Sequence, residues 1–186
     1  MNAPRKIMLT TSRNPTPRIR TFCKDLARVI PNILHVNRRK MSINQLAEKA
    51  LEHSVDHVAI VERWQGSPDR IEFFSIDSSG LVPVPPILYI AGIRLQREFS
   101  TKKSKRVDSI AITKSVGNSL EIAVSLSKIF NVPVLSEIEA SANYPVAINI
   151  SHDANRRIQM TFMLLPQNLE IGPRITLRRV MWEPNE

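Results

Sequence analysis

The side chains whose types and spacing could do chemistry are cationic, and the chemistry they suit is the binding of a polyanion. Arg20, Lys24 and Arg28 recur at every fourth position, with Arg13 and Arg18 before them and Arg38-Arg39-Lys40 after them. Residues 1–40 hold ten cations against one anion, Asp25, which accounts for the whole net charge of +9. The rest of the chain carries sixteen charges of each sign. An excess confined to a fifth of the chain indicates a polyanionic partner rather than general solubility. Residues for covalent or acid–base work do not assemble in this way. Cys23 is the lone cysteine, and His35, His53, His57 and His152 show no metal-ligand spacing. With five glycines, no phosphate-cradling loop, dinucleotide fingerprint or nucleophile elbow occurs. The expectation is a protein that catalyses nothing, with no cofactor, metal or small-molecule substrate.

These cations need elements to position them. Lys6–Thr11 reads as a buried strand. Thr16-Pro17 marks a helix start, Thr16 as N-cap and Pro17 in the first helical position. Ile19, Phe22, Leu26, Val29 and Ile30 then share one face until Pro31 ends the run. At 100° per residue, Arg20, Lys24 and Arg28 fall at about 160°, 200° and 240° from Phe22, a stripe opposite the apolar face. Such a stripe is ordinarily just a solvated face. Here it lacks interleaved carboxylates, and Arg18 and Arg20 occupy a first turn whose free N–H groups already carry positive charge. A docked phosphate would offset that repulsion.

Ile33–Val36 reads as a second strand and Ser42–Gln45 as a capping box. Ile43, Leu46, Ala47, Ala50 and Leu51 supply the apolar face of the helix it opens. His57–Val61 and Ile71–Ile76 form a hairpin around a turn at Gly66–Asp69. Leu81–Pro86 should break regular structure, before an apolar stretch at Ile87–Leu95. If the first two strands are parallel neighbours, the loops carrying Arg13 and Arg38–Lys40 meet at one sheet edge, where ligands of open α/β sheets gather. Lys24 and Arg28 would extend that footprint along the helix.

The polar, basic stretch around Lys102, Lys103, Lys105 and Arg106 is the best boundary, and after it the pattern restarts. Ser109–Ser115 matches Lys6–Ser12, a turn with Gly117 and Asn118 leads to a helix carrying Leu120, Ile122, Ala123, Leu126, Ile129 and Phe130, and Val132–Leu135 follows. Glu121 supplies the first-turn acid that the first helix lacks. The fold expected is α/β, with two similar halves from an internal duplication, 1–100 and 107–186, each a mixed sheet with packed helices, joined by a basic linker at 101–106. The second half then diverges into three strands, Pro145–Ser151, Ile158–Leu165 and Ile175–Val180.

The run Met8–Leu26 (MLTTSRNPTPRIRTFCKDL) and then Val36–Ile43 (VNRRKMSI) resembles the opening of the Brix domain, and Glu170–Leu177 (EIGPRITL) is similar to that family's closing motif. The resemblance spans nearly the whole chain in order, as one Brix domain over 1–186, and looks most like the single-domain archaeal members. It implies ribosome biogenesis in the cytoplasm, with ribosomal RNA or pre-rRNA and other ribosome assembly proteins as partners. It also implies halves similar to the anticodon-binding domain of class II aminoacyl-tRNA synthetases. Carried over by position, the basic motif residues are Arg13, Arg18, Arg20, Lys24, Arg38 and, in the closing motif, Arg174. The family usually has glycine where Arg39 stands and more often arginine where His35 stands. Either the turn at Arg39 needs no positive φ, or Arg39 is held with strain.

The leading expectation is therefore rRNA binding through Arg13, Arg18, Arg20, Lys24, Arg28, Arg38, Arg39, Lys40 and Arg174. The alternative is a protein-interaction scaffold whose basic face docks an acidic partner. Arg174 serves equally as a salt-bridged turn residue, Arg156-Arg157 reads as a solvated hairpin tip, and Trp64 and Trp182 read as packing residues at strand ends, with a base-stacking platform as the alternative. Cys23 is expected to be buried and unreactive. No run of apolar residues is long enough to span a membrane.

Overall fold

The computed structural model describes residues 6–99, 106–113 and 119–183. The basic stretch Lys102, Lys103 and Lys105, and the turn at Gly117 and Asn118, lie outside the described residues. The first half runs β1 (Ile7–Thr11), α1 (Pro17–Val29), β2 (Ile33–His35), α2 (Ile43–Glu52), β3 (His57–Trp64), β4 (Ser67–Asp77) and β5 (Gly80–Arg94). The second runs β6 (Ile110–Thr113), α3 (Ser119–Phe130), β7 (Val134–Leu135), α4 (Glu137–Asn143), β8 (Val146–His152), β9 (Ile158–Leu164), the short β10 (Leu169–Glu170) and β11 (Arg174–Met181). All eleven strands join one mixed sheet, ordered β2-β1-β3-β4-β5-β11-β9-β8-β6-β7 with β10 beside β9. The fold is α/β, as expected, but β5 pairs with β11 and so joins the strands of both halves in one sheet, where a separate sheet in each half was expected.

Local signals formed the expected elements. Thr16 caps α1, its hydroxyl accepting from the Ile19 N–H at 3.4 Å, with Pro17 first in the helix. Ser42 and Gln45 form the reciprocal capping box of α2. Strand β1 pairs in parallel with β2 (Ile7 opposite Ile33) and with β3 (Ile7 opposite His57), so the loops after β1 and β2 do leave the same sheet edge.

Helices α1 and α3 lie on one face over a single core, in which Phe22, Leu26, Ile122 and Leu126 pack with Ile71, Leu88, Phe162 and Ile175. Phe73 and Phe130 meet edge-on across the two halves, their ring centroids 6.1 Å apart. Cys23 is fully buried there, and burial pushes its thiol up to about 12. Helix α2 packs separately, through Leu46 and Ala50, on Met8, Val58 and Ile60, while α4 packs through Ala140 on Ala111 and Ala147.

Four more expectations are corrected. The stretch Leu81–Pro86 is not a break but part of β5, because there the strand pairs only with β4 and its other edge carries no partner that needs a proline N–H. The turn of the β3–β4 hairpin is Gln65-Gly66, with φ of 47° and 84°, and Ser67–Asp69 already belong to β4. Ile43, Leu51 and Leu120 lie outside the apolar contacts, at 43%, 61% and 40% exposure, because α2 and α3 bury narrower stripes than their composition allows. Helix α4 is an addition to the expected elements; with it, both halves show the order strand, helix, strand, helix, strand, strand.

Candidate nucleic-acid interface

The loops after β1 and β2 enclose an open cleft of about 500 Å³. Its lining includes Thr11, Asn14, Pro15, Arg20, His35 and Arg38–Lys40, so the two basic segments do converge. Hydrogen bonds between the loops fix its shape. The Thr10 hydroxyl donates to Val36 O at 2.8 Å, and Val36 N donates to Leu9 O at 2.9 Å.

Arg38 forms the floor. Its Nε donates to Met41 O at 3.0 Å and its Nη1 to Thr11 O at 3.3 Å, binding the two loops together. The residue is only 6% exposed, and among the described residues no carboxylate lies within 4 Å of it. Burial pulls its pKa below the ordinary arginine value; the attraction of Glu62 opposes this, and the smaller repulsion of Arg13 adds to it. A buried guanidinium bonded to carbonyls, with Glu62 acting on it only from beyond ion-pair distance, places positive charge on the floor of the cleft.

Around this floor stand exposed cations. The side chains of Arg13, Arg39, Lys40 and Lys24 make no hydrogen bond or ion pair with another described residue. Arg20 is exposed and its Nη1 donates to Pro15 O at 2.9 Å, stiffening the entry to α1. Lys24 sits close enough to His35 to lower its pKa, although burial of the imidazole lowers it more. Arg39 takes φ of 50°, so the turn does require the left-handed region and an arginine is held where glycine would be unstrained.

Three expected contacts lie elsewhere or are already partnered. Arg18 turns from the cleft to Glu98, with Nη1 2.6 Å from Oε1, and Nη2 donates to Ile93 O at 3.0 Å. The repulsion between Arg18 and the start of α1 is thus offset within the fold by the Glu98 carboxylate. Arg28 lies 3.6 Å from the buried Asp25, which in turn accepts from Gln96 N at 3.0 Å. Arg174 pairs through both nitrogens with Glu170, Nε to Oε1 at 2.8 Å, and its guanidinium lies 5.7 Å from the Phe99 ring centre. The ion pair holds Arg174 above the ordinary arginine value. It is not among the residues lining the cleft. Arg157 pairs with Asp153 at 2.9 Å in the β8–β9 hairpin, the solvated tip expected.

Trp64 departs from expectation. It is not a packing residue: it is 69% exposed at the end of β3. The signal for this in the sequence is its place immediately before the Gln-Gly of a tight hairpin, where a strand end projects beyond the sheet. Among the described residues no group of three or more His, Cys, Asp and Glu could hold a metal ion, and no helix is long and apolar enough to cross a membrane.

No family model matches the chain. Among curated proteins, a probable Brix domain-containing ribosomal biogenesis protein of Pyrococcus horikoshii is 36% identical over 98 residues. That match covers 52% of this chain and 42% of the relative, so it spans less than half of the relative's length. The Aeropyrum pernix protein of the same description is 27% identical across 91% of this chain and 93% of its own. Among solved structures, a probable ribosomal biogenesis protein from Aeropyrum pernix superposes with a TM-score of 0.75 at 26% identity, covering 98% of each chain. An archaeal Imp4-like protein shares the fold at a TM-score of 0.67 and 22% identity, over 95% of this chain and 99% of its own. The opening and closing motifs thus pointed the right way: in sequence and in fold, the chain is similar to archaeal proteins described as Brix domain-containing ribosomal biogenesis proteins.

Proposed function

We propose that this chain is a ribosome assembly factor that holds ribosomal RNA or its precursor in the cleft between the β1 and β2 loops, without catalysing a reaction. The observation that carries this reading is the buried, carbonyl-bonded Arg38, without an ion pair among the described residues, near Arg13, Arg39 and Lys40, with Lys24 beside His35; the side chains of these four cations likewise make no bond or ion pair with another described residue. Clustered cations repel one another and gain from a polyanion laid across them. The cleft is open and elongated by Lys24 and Arg20 along α1, which suits a phosphate backbone better than a small molecule. Arg18, Arg28 and Arg174, each already beside a carboxylate, contribute less. The names of the relatives supply the ribosomal context. On the same reading, the halves 1–100 and 107–186 of this one domain derive from a duplicated unit similar to the anticodon-binding domain of class II aminoacyl-tRNA synthetases.

The test replaces Arg20, Arg39 and Lys40 together by glutamine. RNA affinity should fall, and the log–log salt slope should flatten by roughly 0.7 for each single-strand phosphate that is no longer neutralised, with the thermal melt nearly unchanged. Undiminished RNA binding by a folded triple variant would reject the cleft as the site. Pull-down after nuclease treatment separates RNA binding from docking of an acidic protein, since only the latter would keep its partner.

A further inference from the structure

The β3–β4 hairpin stands over the same sheet edge as the cleft. Thr11, the last residue of β1, is level with Val61, so β3 continues three residues further, about 10 Å, to Trp64. The two-residue turn that follows has both φ angles positive, a tight connection with little freedom to swing. It is also tied down: the Thr16 hydroxyl donates to Gly66 O at 2.8 Å while the same oxygen caps α1. Thr16 follows Asn14 and Pro15, which line the cleft, so tip and cleft are joined through three consecutive residues. An indole at 69% exposure is thereby presented on a fixed support at the same sheet edge as the cationic cleft.

We infer that Trp64 stacks on an unpaired nucleobase of the bound RNA, so that the segment this site takes is single-stranded rather than duplex. The inference rests on the RNA reading above. Phosphates fit the cations whatever the strand state, but an indole face finds a free partner only where a base is not already stacked within a helix. A cleft of cations with an aromatic beside it is a combination suited to single strands, where charge follows the backbone and stacking tolerates any base. The turn geometry matters here. A flexible tip would lose much of the stacking gain in ordering the side chain, whereas the anchored hairpin holds it in place beforehand.

The experiment measures binding of a mixed-sequence RNA of about twenty nucleotides, single-stranded and annealed to its complement, to the whole chain and to Trp64→Ala. Single-strand affinity should fall about tenfold in Trp64→Ala, duplex affinity should hold, and Trp64→Phe should recover most of the loss. In a Trp182→Phe background Trp64 is the remaining tryptophan, and single-stranded RNA should quench its emission. If Trp64→Ala binds the single strand as well as the unaltered chain does, while the Arg20/Arg39/Lys40 glutamine variant loses it, stacking is wrong and the RNA site stands. If Trp64→Ala weakens single strand and duplex equally, the strand selectivity is wrong. If the unaltered chain binds neither RNA, the underlying reading falls, and this inference with it.

Discussion

Through their first six elements the two halves share one order, yet the described residues lining their clefts differ in charge. In the first half the lining carries Arg20, Arg38, Arg39 and Lys40. In the second, the described residues lining a cleft of about 320 Å³ include Thr113, Glu137, Asn149 and Asn168, with one acid and no cation among them, while Lys114, next after Thr113, lies outside the described residues. The helix that follows differs too: α3 has Glu121 in its first turn, whereas α1 has no acid there. Cations in the first cleft repel each other, and Arg39 sits in a backbone region that disfavours it, so their presence there is better explained by a ligand than by folding.

The comparison can be broken most severely at Arg38. If the first cleft is organised by a cation, Arg38→Ala leaves Met41 O and Thr11 O without their donor and costs about 2–3 kcal/mol in a urea melt. A loss near zero would mean that both clefts fold alike and that Arg38 is incidental. Next in size is Arg18, which marks the limit of the cationic site. Arg18→Gln should cost about 1 kcal/mol and leave RNA affinity per folded molecule unchanged. The pair has a pH signature. Hydrogen bonding by Arg18 outweighs partial burial and holds the Glu98 carboxyl below its ordinary 4.5, so its contribution is complete above that pH and vanishes as pH falls through the lower folded value. The variant should accordingly show a shallower loss of stability in acid.

Arg39 sharpens the comparison by sign. Arg39→Gly relieves the left-handed backbone and should raise stability by about 0.5 kcal/mol while weakening RNA binding. A variant that is more stable and binds as well as before would remove the argument that function maintains this residue. The smallest effect is at His35, which stands at the end of β2 where Leu135 ends β7. By NMR, His35 should titrate below 6.5, the larger part of that shift due to burial, and Lys24→Gln should move it partway back up. RNA bound in the cleft should raise it as well, because a phosphate nearby favours the imidazolium.

Much of the first half was legible because its signals are local. A Thr-Pro start, a capping box and a 3.6-residue apolar period are written within a dozen residues, and they sufficed to bring the β1 and β2 loops to one edge. Which arginines stay free was not legible. Arg18 looks like Arg20 in sequence, and only the fold brings Glu98 to it from eighty residues away. Asp25 was visible as the one acid of the basic segment, but its place under α1, against Gln96, was not. Helix α4 could have been found from Ser136 and Glu139, which form its capping box, but its seven residues bury only Ala140 and leave no periodic face to read. The prolines of β5 misled because proline reports the lack of an N–H, and whether that N–H is needed depends on the neighbouring strand.

The outermost strands of the sheet, β2 and β7, are three and two residues long. Each offers a second molecule only a few unpaired backbone groups, far short of what edge-to-edge extension of a β-sheet requires. A broad eleven-stranded sheet would otherwise be an aggregation hazard at high concentration. Tapered margins of this kind leave a neighbouring sheet almost nothing to build on, which holds such growth in check where the protein is concentrated.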